Sequence, residues 1–164
     1  MRMTHRVIFH ARFLVPVFAA LPGAVYCADN IREVLCTREY ADNMRTKTMF
    51  QKIDLNNDGQ VTHDEIVGYF GKIFDALDVD HDGLLDDNEW IGARTNVSVI
   101  NYSTLGYAEQ LATDRMMRLM DRKNHKVVTR EAFISQHEKM FDTMTNGHNE
   151  PLDTEHWLAA YFPK

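Results

Sequence analysis

Two stretches of twelve residues carry oxygen-bearing side chains at alternate positions and end on glutamate. The first offers Asp54, Asn56, Asp58, Thr62 and Glu65, the second Asp78, Asp80, Asp82, Asp86 and Glu89. Donor sets made only of oxygen suit a hard cation of calcium's size, which takes about six to eight oxygens and can be wrapped by a loop using every second residue. The backbone carbonyls of Gln60 and Leu84 fill the alternate position that lacks a side-chain ligand, Thr62 serves directly or through water, and Glu65 and Glu89 each close with two oxygens. Gly59 and Gly83 stand where such a loop turns through left-handed backbone. An ordinary acidic turn would need neither the glycine nor the closing glutamate at a fixed place, so two Ca2+ sites are expected.

The pattern returns in damaged form. Phe50 to Trp90 aligns without a gap on Met117 to Trp157, an offset of 67 residues, with Asp54 on Asp121, Val61-Thr62 on Val128-Thr129, Phe74-Asp75 on Phe141-Asp142 and Leu85-Asp86 on Leu152-Asp153. In the third loop, Asp121 to Ala132, lysine and histidine occupy ligand positions 123 and 125, Lys126 replaces the glycine and Ala132 the closing carboxylate. The fourth, Thr145 to His156, begins with threonine and ends in histidine. Neither is expected to hold calcium. Residues 54–89 contain 11 acids and one lysine, whereas residues 121–156 contain seven acids and five lysines or arginines. Charge repulsion is therefore relieved where no ion is expected.

Helical spacing of apolar residues surrounds these loops: Met49, Phe50 and Ile53 before the first, then Ile66, Tyr69, Phe70, Ile73, Phe74 and Leu77 before the second. The second half repeats this with Met116, Met117, Met120, Phe133, Met140, Phe141 and Met144. The methionines serve as core, or as an adaptable partner groove. Trp90 and Trp157 follow their loops and read as core anchors. Residues 91–106 are polar and read as the connection between halves.

Asp54–Glu65 and Asp78–Glu89 match the EF-hand calcium loop, and their close spacing resembles small exported bacterial EF-hand proteins. That resemblance implies a mainly α fold with four EF-hand-like loops in two duplicated pairs, and short strand pairing between the loops of each pair. It departs from calmodulin-like pairs, because only residues 66–77 separate the live loops, about 18 Å of helix. One helix must leave the first loop and enter the second.

The N-terminus reads differently from the rest. Arg2, Arg6 and Arg12 precede the apolar run Phe13 to Tyr26, and no acid occurs before Asp29. This is the layout of a cleaved signal peptide over residues 1–27, with a membrane anchor as the alternative; the run is short of the roughly 20 residues a span needs and holds Pro16 and Pro22. Domains are then expected at 28–95, the intact pair, and 96–164, the degenerate pair, in a periplasmic or secreted protein. Without the first 27 residues, 15 basic residues face 24 acidic ones, net −9, which disfavours nucleic acid and anionic membrane as partners. Cys36 is left as a lone thiol, or pairs with Cys27 if cleavage falls earlier.

His125, His137, His148 and His156 would suit a transition metal if they converged, but their spacing matches no compact ligand motif. No nucleophile elbow, phosphate loop or HExxH occurs, so an enzyme is not expected. Two roles remain open: a calcium-responsive module that presents a surface to a protein partner, and a calcium store or calcium-stabilised structural protein.

Overall fold

In the computed structural model, which describes residues 35–160, short polar side chains set where the helices begin. A hydroxyl, carboxylate or amide oxygen one residue before each helix accepts from an N–H of the first turn that has no partner within the helix. Thr37 starts α1 (Arg38–Met44), Thr46 starts α2 (Lys47–Ile53), Thr62 starts α3 (His63–Leu77) and Asp86 starts α4 (Asp87–Gly92). Asn96 starts α5 (Val97–Tyr102). Thr104, Thr113, Thr129 and Asp153 then start α6 (Leu105–Leu111), α7 (Asp114–Met120), α8 (Arg130–Met144) and α9 (Thr154–Ala159). Two-residue strands lie in the four loops: β1 (Gln60–Val61), β2 (Leu84–Leu85), β3 (Val128–Thr129) and β4 (Leu152–Asp153).

Every helix from α1 to α4 recurs 67 residues later as α6 to α9 with the same bounds. The duplication therefore reaches further back than Phe50 and Met117. It takes in Thr37-x-x-Tyr40-Ala41 and Thr104-x-x-Tyr107-Ala108.

Strand pairing runs against expectation. The loops of one half do not pair with each other: β1 pairs with β4 and β2 with β3, both antiparallel, setting Val61 opposite Leu152 and Leu85 opposite Val128. The reason is the shared helix. α3 is 15 residues long, roughly 22 Å, and holds β1 and β2 at opposite ends. A second unit laid antiparallel supplies a strand at each end, and α3 packs along α8 between them. Each intact loop is thus joined to a degenerate one. Within the described residues, the sequence units expected at 28–95 and 96–164 share one core, since buried side chains from α1 to α9 form a single cluster.

At its centre, equivalent residues of the two halves meet. Phe70 of α3 stacks on its counterpart His137 of α8, with centroids 3.7 Å apart, and Tyr40 lies against its counterpart Tyr107 at 5.2 Å. The His137 Nδ1 faces the Phe133 carbonyl at 2.8 Å. A carbonyl only accepts, so Nδ1 carries the proton and Nε2 accepts from the Tyr40 hydroxyl at 2.6 Å. Burial pushes the His137 pKa down to about 3. Tyr107 would need a histidine at position 70 to do likewise; it meets phenylalanine, and its buried hydroxyl interacts with the Tyr40 hydroxyl without a bond of full hydrogen-bond geometry among the described residues.

Met116, Met117, Met120 and Met140 are buried and Met144 is partly buried against the same core. Trp90 and Trp157 are fully buried, their indole N–H groups donating to the carbonyls of Thr113 at 3.2 Å and Met44 at 3.0 Å across the two halves. The segment 91–106, polar in sequence, is ordered as α5 and the start of α6. α5 is strapped along α3 by bonds from Asn96 Nδ2 to the Ala76 carbonyl (2.8 Å) and from the Tyr69 hydroxyl to the Tyr102 carbonyl (3.0 Å). The proposed leader at 1–27, and with it Cys27, lies outside the described residues; Cys36 is buried. Among the described residues no helix is long and apolar enough to cross a membrane.

Candidate metal centres

α2 delivers the chain to loop one and α3 carries it away; α3 then delivers it to loop two and α4 carries it away. Both loops fold through the same bonds. Asp54 accepts from the backbone N–H groups of Asp58 (3.2 Å) and Gly59 (3.0 Å), and Asp78 from those of Asp82 and Gly83, both at 3.1 Å. At the third position Asn56 and Asp80 accept from the same Asp58 and Asp82 N–H groups, and Asp58 and Asp82 accept from Gln60 and Leu84. The first carboxylates are 6 and 7% exposed. A buried carboxylate needs donors or a cation, and the turn that supplies those donors requires left-handed backbone at Gly59 (φ +85°) and Gly83 (φ +82°).

Glu65 and Glu89 clamp the ends of their loops together. Glu65 Oε1 accepts from the Leu55 N–H at 2.9 Å, and Oε2 from the Thr62 N–H and hydroxyl, both at 2.9 Å. Glu89 does the same with the N–H groups of Val79 (2.6 Å) and Asp86 (3.3 Å). Each glutamate is also the third residue of its helix and completes a capping box with Thr62 or Asp86. Helix start and loop closure use one side chain.

The carboxylates of Asp78, Asp80 and Asp82 place oxygens within 4.8 Å of one another. Hard oxygens, several charges and a bidentate glutamate at the rim fit Ca2+. Loop one presents Asp54, Asn56, Asp58 and Glu65 in the same frame, with one amide where loop two has a carboxylate. Gln60 and Leu84 open β1 and β2. Thr62 and Asp86 are committed to helix capping: the Thr62 hydroxyl donates to Glu65, and Asp86 accepts from the N–H groups of Asn88 (2.8 Å) and Glu89 (3.0 Å). Those backbone bonds, from Glu89 above all, hold the Asp86 carboxyl below the usual carboxylate range.

Loop three keeps the frame without the ligands. Asp121 accepts from the N–H groups of His125 (3.1 Å) and Lys126 (2.7 Å), and Asn124 and Lys126 have φ of +52° and +59°, as Asn57 and Gly59 have +59° and +85°. Ala132 leaves the closing position empty of oxygen. Loop four loses the frame as well. The Thr145 hydroxyl donates back to the Phe141 carbonyl at 3.2 Å, and Asn146, Gly147 and Asn149 all turn left-handed. His156 closes it by contacting Asp153 at 2.8 Å, which raises the imidazole pKa, while the His156 backbone N–H lowers that of Asp153.

The four histidines do not converge as one ligand set: His137 is locked in the core, whereas His125, His148 and His156 are exposed. Reasoning from sequence missed the central Tyr40–His137 pair and its Phe70–Tyr107 counterpart. The signal was there as the Thr-x-x-Tyr-Ala pattern 67 residues apart.

Searches among curated proteins and among solved structures found no match. A sequence model described as EF hand matches residues 46–67 and 70–92. The match takes in loops one and two and neither of the others, so the expectation of four EF-hand-like loops is met by two EF hands and two loops equivalent to them in position. Residues 46–92 are thus similar to a pair of EF hands, joined here through one shared helix, and such loops imply Ca2+ as the ion.

Proposed function

We propose that this protein binds two calcium ions, one in each intact loop, and responds to them by changing what its degenerate half presents to a protein partner, outside the cytosol and without catalysis. The observation that carries the reading is the crossed strand pairing: Val61 of loop one faces Leu152, and Leu85 of loop two faces Val128. An ion that tightens either intact loop pulls on a strand of the other half. A pure store would gain from four working loops. Export rests on the basic and apolar N-terminal segment of the sequence.

A second reading, a calcium-stabilised structural protein or store, is favoured by one feature. Glu65 and Glu89 already span their loops through hydrogen bonds, so an ion could add stability with little movement. The two readings separate in a titration of the full chain with calcium, followed by amide chemical shifts and a hydrophobic dye. The responsive reading predicts shifts at 128–129 and 152–153 together with new dye binding. Shifts confined to 54–65 and 78–89, with a higher melting temperature and no dye binding, would replace it with the structural one.

A further inference from the structure

Loop three keeps the EF-hand backbone but reverses its charge. Residues 54–59 and 78–83 carry two and three acids and no lysine or arginine; residues 121–126 carry one acid and three of those bases. The one acid, Asp121, has both oxygens engaged by the N–H groups of His125 and Lys126. In loop one the closing Glu65 carboxylate fills the space between loop and helix. Ala132 at that position leaves a cavity of about 390 Å³. Met120, Val127 and Ala132 contribute apolar lining, and Lys123, His125 and Lys139 line it beside the carboxylates of Asp121 and Glu131. The volume is in the range of small-molecule sites, where apolar lining is commonly combined with a few charged groups.

We propose that this cavity is a binding site for a small organic carboxylate, whose carboxylate stands where the closing glutamate side chain stands in the intact loops and whose apolar tail covers Met120 and Val127. Lys123 and His125 are the residues that select the anion. A cation cage has become an anion site by loss of its own carboxylate and gain of bases around the gap. The proposal stands independently of how the first half uses calcium.

The test is a titration of the calcium-loaded full chain with sodium butyrate at fixed ionic strength, read by amide chemical shifts. Saturable shifts concentrated in residues 120–139 are expected, with a dissociation constant on the order of millimolar, as suits so small a ligand. Lys123→Ala with His125→Ala should weaken binding at least tenfold. Ala132→Glu, which returns a carboxylate to the gap, should abolish it. Shifts that scatter over the surface without saturating, or an Ala132→Glu protein that titrates like the parent, would overturn the site.

Discussion

Glu65 and Glu89 each cap a helix and clamp the ends of a loop, and under the proposed function the same carboxylates close on an ion. Replacing either by glutamine keeps the shape and most hydrogen-bonding capacity but removes a charge and one strong oxygen. Each replacement is expected to weaken calcium at its own loop by tenfold or more, about 1.4 kcal/mol. Apart from the capping Asp86, loop two offers four acidic candidate ligands against three in loop one, so Glu89→Gln should remove the tighter step; calorimetry would refute the ranking if Glu65→Gln did so. At the same scale the two central tyrosines should behave oppositely. Tyr107→Phe deletes a buried hydroxyl that makes no bond of full geometry among the described residues and only interacts with the Tyr40 hydroxyl, and should leave stability unchanged or raise it by up to about 1 kcal/mol. Tyr40→Phe breaks the bond to His137 and should cost about 1–2 kcal/mol in denaturant melts. The two loops and their bounds were legible in the sequence because an alternating oxygen pattern, a glycine and a closing glutamate recur in each, and the family match falls on the same residues. That Thr62 and Asp86 work as caps was hidden, because capping and ligation favour the same side chains at the same place.

At the scale of elements, α3 and α8 meet through unlike residues at equivalent positions, and that asymmetry should be visible in acid. His137 titrates at about 3 when folded against 6.5 when exposed. Between those values the unfolded chain binds a proton that the folded chain does not, so stability from this residue is full above 6.5 and is lost as pH falls toward 3, by an amount on the order of a few kcal/mol. His137→Phe, which copies Phe70, should be less stable at neutral pH by about 1–3 kcal/mol because it strands the Tyr40 hydroxyl. Its stability should then fall less between pH 6.5 and 5. Parallel melting curves for the two proteins across that range would contradict this account. The periodicity of Ile66, Tyr69, Phe70, Ile73 and Phe74 announced α3, and the repeat announced α8. Which strands pair was not legible, since Val61, Leu85, Val128 and Leu152 are equally apolar and only the length of α3 rules out pairing within a half.

The whole molecule is an interlocked duplication in which neither half owns a complete core. Trp90 donates to Thr113 and Trp157 to Met44, so each half anchors an indole in the other. Residues 35–95 alone would expose the α8-facing side of α3 and two unpaired strands. That fragment is expected to unfold without a cooperative transition, and to regain one when residues 96–160 are added. A cooperative monomeric transition in the fragment would show that the intact pair needs no partner half. Duplication was legible from the sequence alone, but its extent was not: Cys36 against Ser103 and Glu39 against Gly106 mask the earlier match. Gly106 is small because α6 lies close to α1, where a methyl group would collide with Asn43. Two ions are expected in two of the four loops. Calorimetric titration of the full chain with calcium should count two ions bound, both weakened at least tenfold when Glu65→Gln and Glu89→Gln are combined; a third ion, or binding undiminished by the double replacement, would show that calcium is held elsewhere.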